Sequence, residues 1–156
     1  MLIEYNQTKV HGLIMKLGVI VLVMDESIRD LVTIIAQNKG HDVIALPESV
    51  VCPLSSDLDC SCSQDLACGD LMIISNRMAK MSGLKLIRKQ LEGRCKGATQ
   101  NKLVLSTSAR KSREFAFAKD LGCKVIMKPF KITEISAWID ECEKRIDPNR
   151  KLADLH

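Results

Sequence analysis

The sequence predicts one α/β domain built on a doubly wound, five-stranded parallel sheet. Three observations carry that prediction. Five short runs of aliphatic, largely β-branched residues recur along the 156-residue chain. The first of them is continuously apolar rather than alternating, the pattern of a strand covered on both faces. Segments with apolar residues at helical spacing follow four of the runs, and that alternation argues for a parallel sheet with helices on each side.

The first strand is read from Gly18 to Met24. Ser27 is the expected cap of the next helix, where Ile28, Leu31, Val32 and Ile35 form the apolar stripe and Gly40 the stop. Asp42 to Leu46 is the second strand. Residues 47–69 hold two prolines, five serines and four cysteines with little helical period, so they read as a Cys-rich loop in place of a regular second helix. Asp70 to Ser75 is the third strand, and Leu84, Ile87 and Leu91 stripe the helix that stops near Gly93. Lys102 to Thr107 is the fourth strand. The helix from Arg110 to Leu121 is expected to turn Phe115, Ala118 and Leu121 inward before Gly122 breaks it. Cys123 to Met127 is the fifth strand. Ile132, Ile135, Ile139 and Cys142 stripe the last helix, with Trp138 beside them, and Pro148 marks its end. The expected organisation is an N-terminal arm (1–16), the domain proper (17–147) and a frayed tail (148–156).

Aromatic residues are only 3% of the chain, so aliphatic side chains must fill the core. The net charge of +4 comes from bases and acids that are interspersed, which does not point to nucleic acid. No apolar run reaches the roughly 18 residues that a membrane span needs. The first sixteen residues carry Glu4 and no small-residue cleavage pattern, so no signal peptide is expected, and Met15 is a second candidate start directly before the first strand. Seven cysteines without a secretion signal suit reducing cytoplasm, where they serve as buried thiols, metal ligands or redox groups rather than a disulfide framework.

In open parallel sheets, ligands gather outside the carboxyl ends of the strands. Asp25 and Glu26 follow the first strand, Ser75 ends the third, Thr107 ends the fourth, and Lys128, Pro129 and Phe130 follow the fifth. Four separate strands thus deliver polar groups to one expected crevice.

Three stretches, in order and on the right elements, give this arrangement a family likeness. They are Val21-Leu22-Val23-Met24-Asp25-Glu26, Asp70 through Ser75 with Met78 and Gly83-Leu84 beyond it, and Lys128-Pro129-Phe130. On these motifs the chain resembles the receiver domains of two-component response regulators, over about residues 16–146. The resemblance implies a flavodoxin-like fold with strand order 2-1-3-4-5 and a cis peptide before Pro129. It implies that Asp25 and Glu26 form the acidic pair for Mg²⁺, that Thr107 is the switch hydroxyl and that Lys128 neutralises a phosphoryl group. A sensor histidine kinase is the implied phosphodonor.

The family's acceptor is an aspartate, and here Ser75 stands in its place. Ala79 replaces a usual proline, and Val125 stands where a switching aromatic is usual. A serine hydroxyl is a weak nucleophile without an adjacent base, and none of the three histidines lies at a strand end of this crevice. Loss of a carboxylate also weakens a site for Mg²⁺, which binds through oxygen ligands. Ser75 therefore reads better as a satisfied hydroxyl than as a phosphoserine site. Asp25 and Glu26 read equally as a metal pocket or as a helix-start charge pair, and Thr107 as a switch or a helix cap.

Cys52, Cys60, Cys62 and Cys68 follow the spacing C-x7-C-x-C-x5-C, which lacks the paired C-x2-C knuckles common in zinc sites. Four thiolates suffice for one tetrahedral Zn²⁺, and four reduced thiols on a variable loop are the plainer reading.

The expected function is a stand-alone receiver-like signalling domain of a phosphorelay. It is expected to be a pseudo-receiver that acts by protein contact, with weak or no phosphorylation and no enzymatic turnover. A sensor histidine kinase or other signalling protein is the expected partner, and neither nucleic acid nor membrane is. Arg110, Lys111, Arg113 and Lys119, with Asp140 and Glu141 nearby, suggest weak homodimerisation through the last two helices and the strand between them. The rival is a cysteine-based metal or redox sensor on the same scaffold. A flavodoxin-like enzyme ranks last, because no phosphate-cradling glycine loop follows the first strand.

Overall fold

The computed structural model describes residues 15–47, 52, 67–93, 95–107 and 111–152. Five strands form one sheet: β1 (Gly18–Leu22), β2 (Asp42–Leu46), β3 (Leu71–Ser75), β4 (Lys102–Ser106) and β5 (Lys124–Met127). All pairings are parallel and the order is β2-β1-β3-β4-β5. Among the described residues four helices accompany them: α1 (Glu26–Asn38), α2 (Gly83–Glu92), α3 (Lys111–Leu121) and α4 (Ile132–Arg145), with a 3-10 turn at Thr99–Asn101 before β4. The doubly wound parallel architecture expected from the sequence is the one observed. Apart from Pro47, Cys52 and residues 67–69, the loop expected at 47–69 lies outside the described residues, as does the arm from 1 to 14.

Alternate residues of each strand serve opposite faces, so the sheet builds two cores. Val19, Val21, Leu71, Ile73, Leu103 and Ile126 pack with Val32, Ile35 and Ala36 of α1 and with Ile135, Trp138, Ile139 and Cys142 of α4. Ile20, Leu22, Met72, Ile74 and Val104 pack on the other face with Leu84, Leu86 and Ile87 of α2 and Ala118 of α3. Each fully buried Leu or Ile contributes about 2 kcal/mol of transfer free energy. Trp138 covers the sheet from the last helix, 4% exposed.

The helix stops are local. Gly40 and Gly122 both have φ of +87°, a backbone that glycine adopts without a Cβ penalty. Gly40 N donates to Gln37 O and His41 N to Ala36 O, which closes the end of α1.

Several local expectations shift. Ser27 does not cap α1: Asp25 does, its Oδ1 accepting from Ile28 N at 3.0 Å. Asp ranks with Ser as a cap, and Asp25 lies three residues before that N–H, whereas Ser27 sits inside the first turn. Leu91, expected inward, is 52% exposed, because the buried face of α2 runs Gly83, Leu84, Leu86, Ile87, Gln90. Gln90 holds the inward place since its Oε1 accepts from Nζ of buried Lys102 at 2.8 Å. Phe115 and Ile132 are also exposed; Phe117 packs against the core instead of Phe115, and α4 buries the Ile135, Trp138, Ile139, Cys142 stripe one turn beyond Ile132.

Within the tail expected to fray, the described residues Arg150 and Leu152 are tied down. Arg150 Nε donates to Asp70 Oδ1 at 2.7 Å and its Nη2 bonds Oδ2 of the same carboxylate. Leu152 forms a parallel bridge with Ala67. Asp140, expected on a partner-facing surface, accepts from Lys39 Nζ at 2.7 Å, joining α4 to α1. No helix among the described residues is long and apolar enough to cross a membrane.

Candidate functional site

The carboxyl ends of β1, β3, β4 and β5 open onto a crevice of about 440 Å³. Its lining includes Asp25, Ser27, Ser75, Arg77, Thr107 and Lys128, over an apolar wall of Val23, Ile28, Leu105 and Phe130. The parallel order explains the convergence, since β1 and β3 are neighbours and each strand releases its chain at the same sheet edge.

Local hydrogen bonds hold the frame. Ser75 is half-buried, and its Oγ accepts from Met24 N at 3.2 Å, tying β3 to the chain leaving β1. Asn76 N donates to Leu105 O, and Asn76 Oδ1 accepts from Leu84 N at 3.2 Å. Gly83 is required here: a Cβ on it would stand 2.5 Å from the Ser75 carbonyl oxygen. Lys128 N donates to Ser106 O at 2.9 Å, and the Lys128-Pro129 peptide is cis, as the motif implied.

Of the residues singled out in the sequence, Asp25, Ser75, Thr107 and Lys128 meet in the crevice. Glu26 does not line it; it is exposed in the first turn of α1. Arg77 does line it and was missed. The signal for Arg77 was its position two residues past the end of β3. Val125 is 6% exposed and packs in the second core, so no aromatic stands at that strand position.

The donor set does not fit Mg²⁺. That ion is held by carboxylate and water oxygens in near-ideal octahedral geometry. Among the described residues Asp25 supplies the one carboxylate of the lining, and one of its oxygens is already engaged in capping α1. Two cations, Arg77 and Lys128, face the same space.

The cysteine site divides. Cys60 and Cys62 lie outside the described residues. Cys52 and Cys68 are half-buried and pack against the second core, with Cys52 Sγ accepting from Gln90 Nε2 at 3.4 Å. Among the described residues, no group of three or more His, Cys, Asp or Glu can hold a metal. Burial pushes the thiols of Cys123 and Cys142 up to about 11.

No family model matches the sequence, and no curated protein is significantly similar to it. Solved structures are similar in fold. The BeF3-activated DrrB receiver domain superposes with a TM-score of 0.65 at 15% identity, covering 84% of this chain and 100% of that one. The chain has the receiver-domain fold. The Francisella response regulator 1452 receiver domain gives 0.64 at 16% identity, over 83% of this chain and 98% of that one. The chemotaxis response regulator CheY4 of Vibrio cholerae gives 0.61 at 17% identity, over 81% and 98%. On this receiver fold, Ser75 is the last residue of β3, at the crevice.

Proposed function

We propose that this chain is a receiver-like signalling module that has given up aspartyl phosphorylation and acts by protein contact. One observation carries the reading: the β3 side chain facing the crevice is a serine whose Oγ is engaged by Met24 N. A nucleophilic serine needs a base to take its proton. His41 is the described histidine, and it lies at the amino end of the sheet, with Nδ1 accepting from Leu17 N at 3.2 Å. Asp25 is occupied as a helix cap and Glu26 stays outside the lining.

The partner is a sensor histidine kinase or another signalling protein, in a cytoplasmic setting. The surface of α3, β5 and α4 offers exposed Arg113, Lys119 and Glu141 for such a contact or for a weak homodimer. Arg110 and the side chain of Lys111, expected there too, lie outside the described residues. A monomer at high concentration in sedimentation would count against the dimer.

The decisive experiment is phosphate incorporation from acetyl phosphate with Mg²⁺. The unmodified chain is expected to take up none. Ser75→Asp supplies the second carboxylate and is expected to bind Mg²⁺ and label slowly. Stoichiometric, Mg²⁺-dependent labelling of the unmodified chain overturns the reading.

A second reading, a cysteine-based redox or metal sensor, has one specific observation behind it. At the amino end of the sheet, Cys68, Cys95, Gln90 and Lys102 border one small cavity of about 20 Å³, and Lys102 Nζ approaches Cys95 Sγ at 3.6 Å. Metal analysis and thiol titration test it; Cys60→Ser must release about one bound Zn²⁺ per chain if the loop holds a metal.

A further inference from the structure

The crevice has lost the balance of a cation site and gained that of an anion site. Among the described residues, its lining carries one carboxylate, Asp25, against two cations, Arg77 and Lys128. Neither the Arg77 guanidinium nor the Lys128 ammonium has a hydrogen bond or ion pair to a described residue. The one carboxylate is half spent, with Oδ1 accepting from Ile28 N at 3.0 Å.

The hydroxyls point the same way. Ser75 Oγ accepts from Met24 N, so its own proton remains to be donated. Ser27 and Thr107 add hydroxyls to the same lining. The site therefore presents a guanidinium, an ammonium and three hydroxyls that can donate, against the single carboxylate of Asp25 among the described residues. A planar guanidinium fork matches two oxygens of a phosphate, and an ammonium neutralises it as a point charge.

We infer that this crevice binds a small phosphate-bearing anion directly, with Arg77 in the part that a divalent cation plays elsewhere. This rests on the reading of Ser75 as non-phosphorylated and gives the same crevice a ligand class. The volume, about 440 Å³, suits a small organic phosphate. The phosphate lies between Arg77 and Lys128, and the organic part lies on the Ile28, Leu105 and Phe130 wall. Such a ligand bridges the chains that leave β3 and β5.

The test is a titration of the whole chain with inorganic phosphate in EDTA, followed by backbone amide shifts, with and without added Mg²⁺. Saturable shifts at residues 75–77, 107 and 128 are expected, with an affinity in the range of about 1–10 mM that Mg²⁺ does not improve. Arg77→Gln is expected to weaken binding by about tenfold, the loss of a charge-assisted pair. Asp25→Asn separates the two kinds of site, because Asn caps a helix as well as Asp does. It must tighten phosphate binding if the anion is bound directly, and loosen it if a metal bridges. No saturable binding up to about 50 mM phosphate, binding that appears only with Mg²⁺, or an unchanged Arg77→Gln affinity each overturns the inference. Covalent labelling by acetyl phosphate would instead overturn the reading of Ser75, so the two failures are distinguishable.

Discussion

Replacing Arg150 by methionine tests whether the last described residues are part of the domain's stability. The Asp70 side chain is 3% exposed and the Arg150 side chain 23% exposed. Asp70 accepts from Arg150 Nε at 2.7 Å, from Arg150 Nη2, and from Gly18 N at 2.8 Å. Hydrogen bonding to Asp70 raises the Arg150 pKa further above its ordinary value, so alkali does not release the pair. Arg150→Met leaves a buried carboxylate with the single backbone N–H of Gly18. Breaking a buried ion pair by removing one partner costs about 3–5 kcal/mol. The surviving N–H and the water admitted where the guanidinium lay place this case at the low end, about 3 kcal/mol. For a domain of this size each kcal/mol lowers Tm by about 2–4 °C, so a fall of about 6–12 °C is expected by calorimetry. The double variant Asp70→Asn with Arg150→Met must lose less than the sum of the two single losses, because the second change removes the stranded charge. A Tm for Arg150→Met within about 2 °C of the unmodified chain would refute the reasoning.

Three further outcomes are expected. Gln90→Leu strands the buried Lys102 ammonium and costs about 3 kcal/mol in urea unfolding, whereas Lys102→Met removes the charge and stays within about 1 kcal/mol of the unmodified chain; the reverse ranking would show that Gln90 does not hold the lysine. Gly83→Ala drives a Cβ into the Ser75 carbonyl oxygen, 2.5 Å away, and costs about 2 kcal/mol or more, with amide shifts centred on Ser75 and Asn76. The thiols of Cys123 and Cys142, pushed up to about 11 by burial, bind protons more tightly in the folded chain, so their contribution to stability is intact below pH 9.0 and is lost as pH rises through about 11. Urea midpoints across that window check the sign, and a rise in stability would contradict it.

Much of the fold was legible because its signals are local and one-dimensional. The five apolar runs became β1 to β5, and Gly40 and Gly122 end helices in the left-handed conformation that only glycine adopts freely. Asp25, Ser75, Thr107 and Lys128 could be placed together from sequence because a parallel sheet sends every strand end to one edge. What stayed hidden depends on the rotation of a helix or on distant partners. Leu84 and Ile87 are buried as the stripe of α2 implied, but Leu91 turns outward, and it is Gln90 that faces inward, where its oxygen meets buried Lys102. Glu26 follows Asp25 in the chain, yet only one carboxylate can cap α1 and line the crevice while the next turns to solvent. Arg77 lies on the chain beyond β3, and its place in the crevice emerges only once β1, β4 and β5 close around it. Asp70 and Arg150 are 80 residues apart, and each alone reads as a surface charge. The sequence by itself determined the strands, their parallel pairing and the strand-end crevice. The tertiary structure alone decided which charges face one another, because a charge takes its meaning from a partner that another segment delivers.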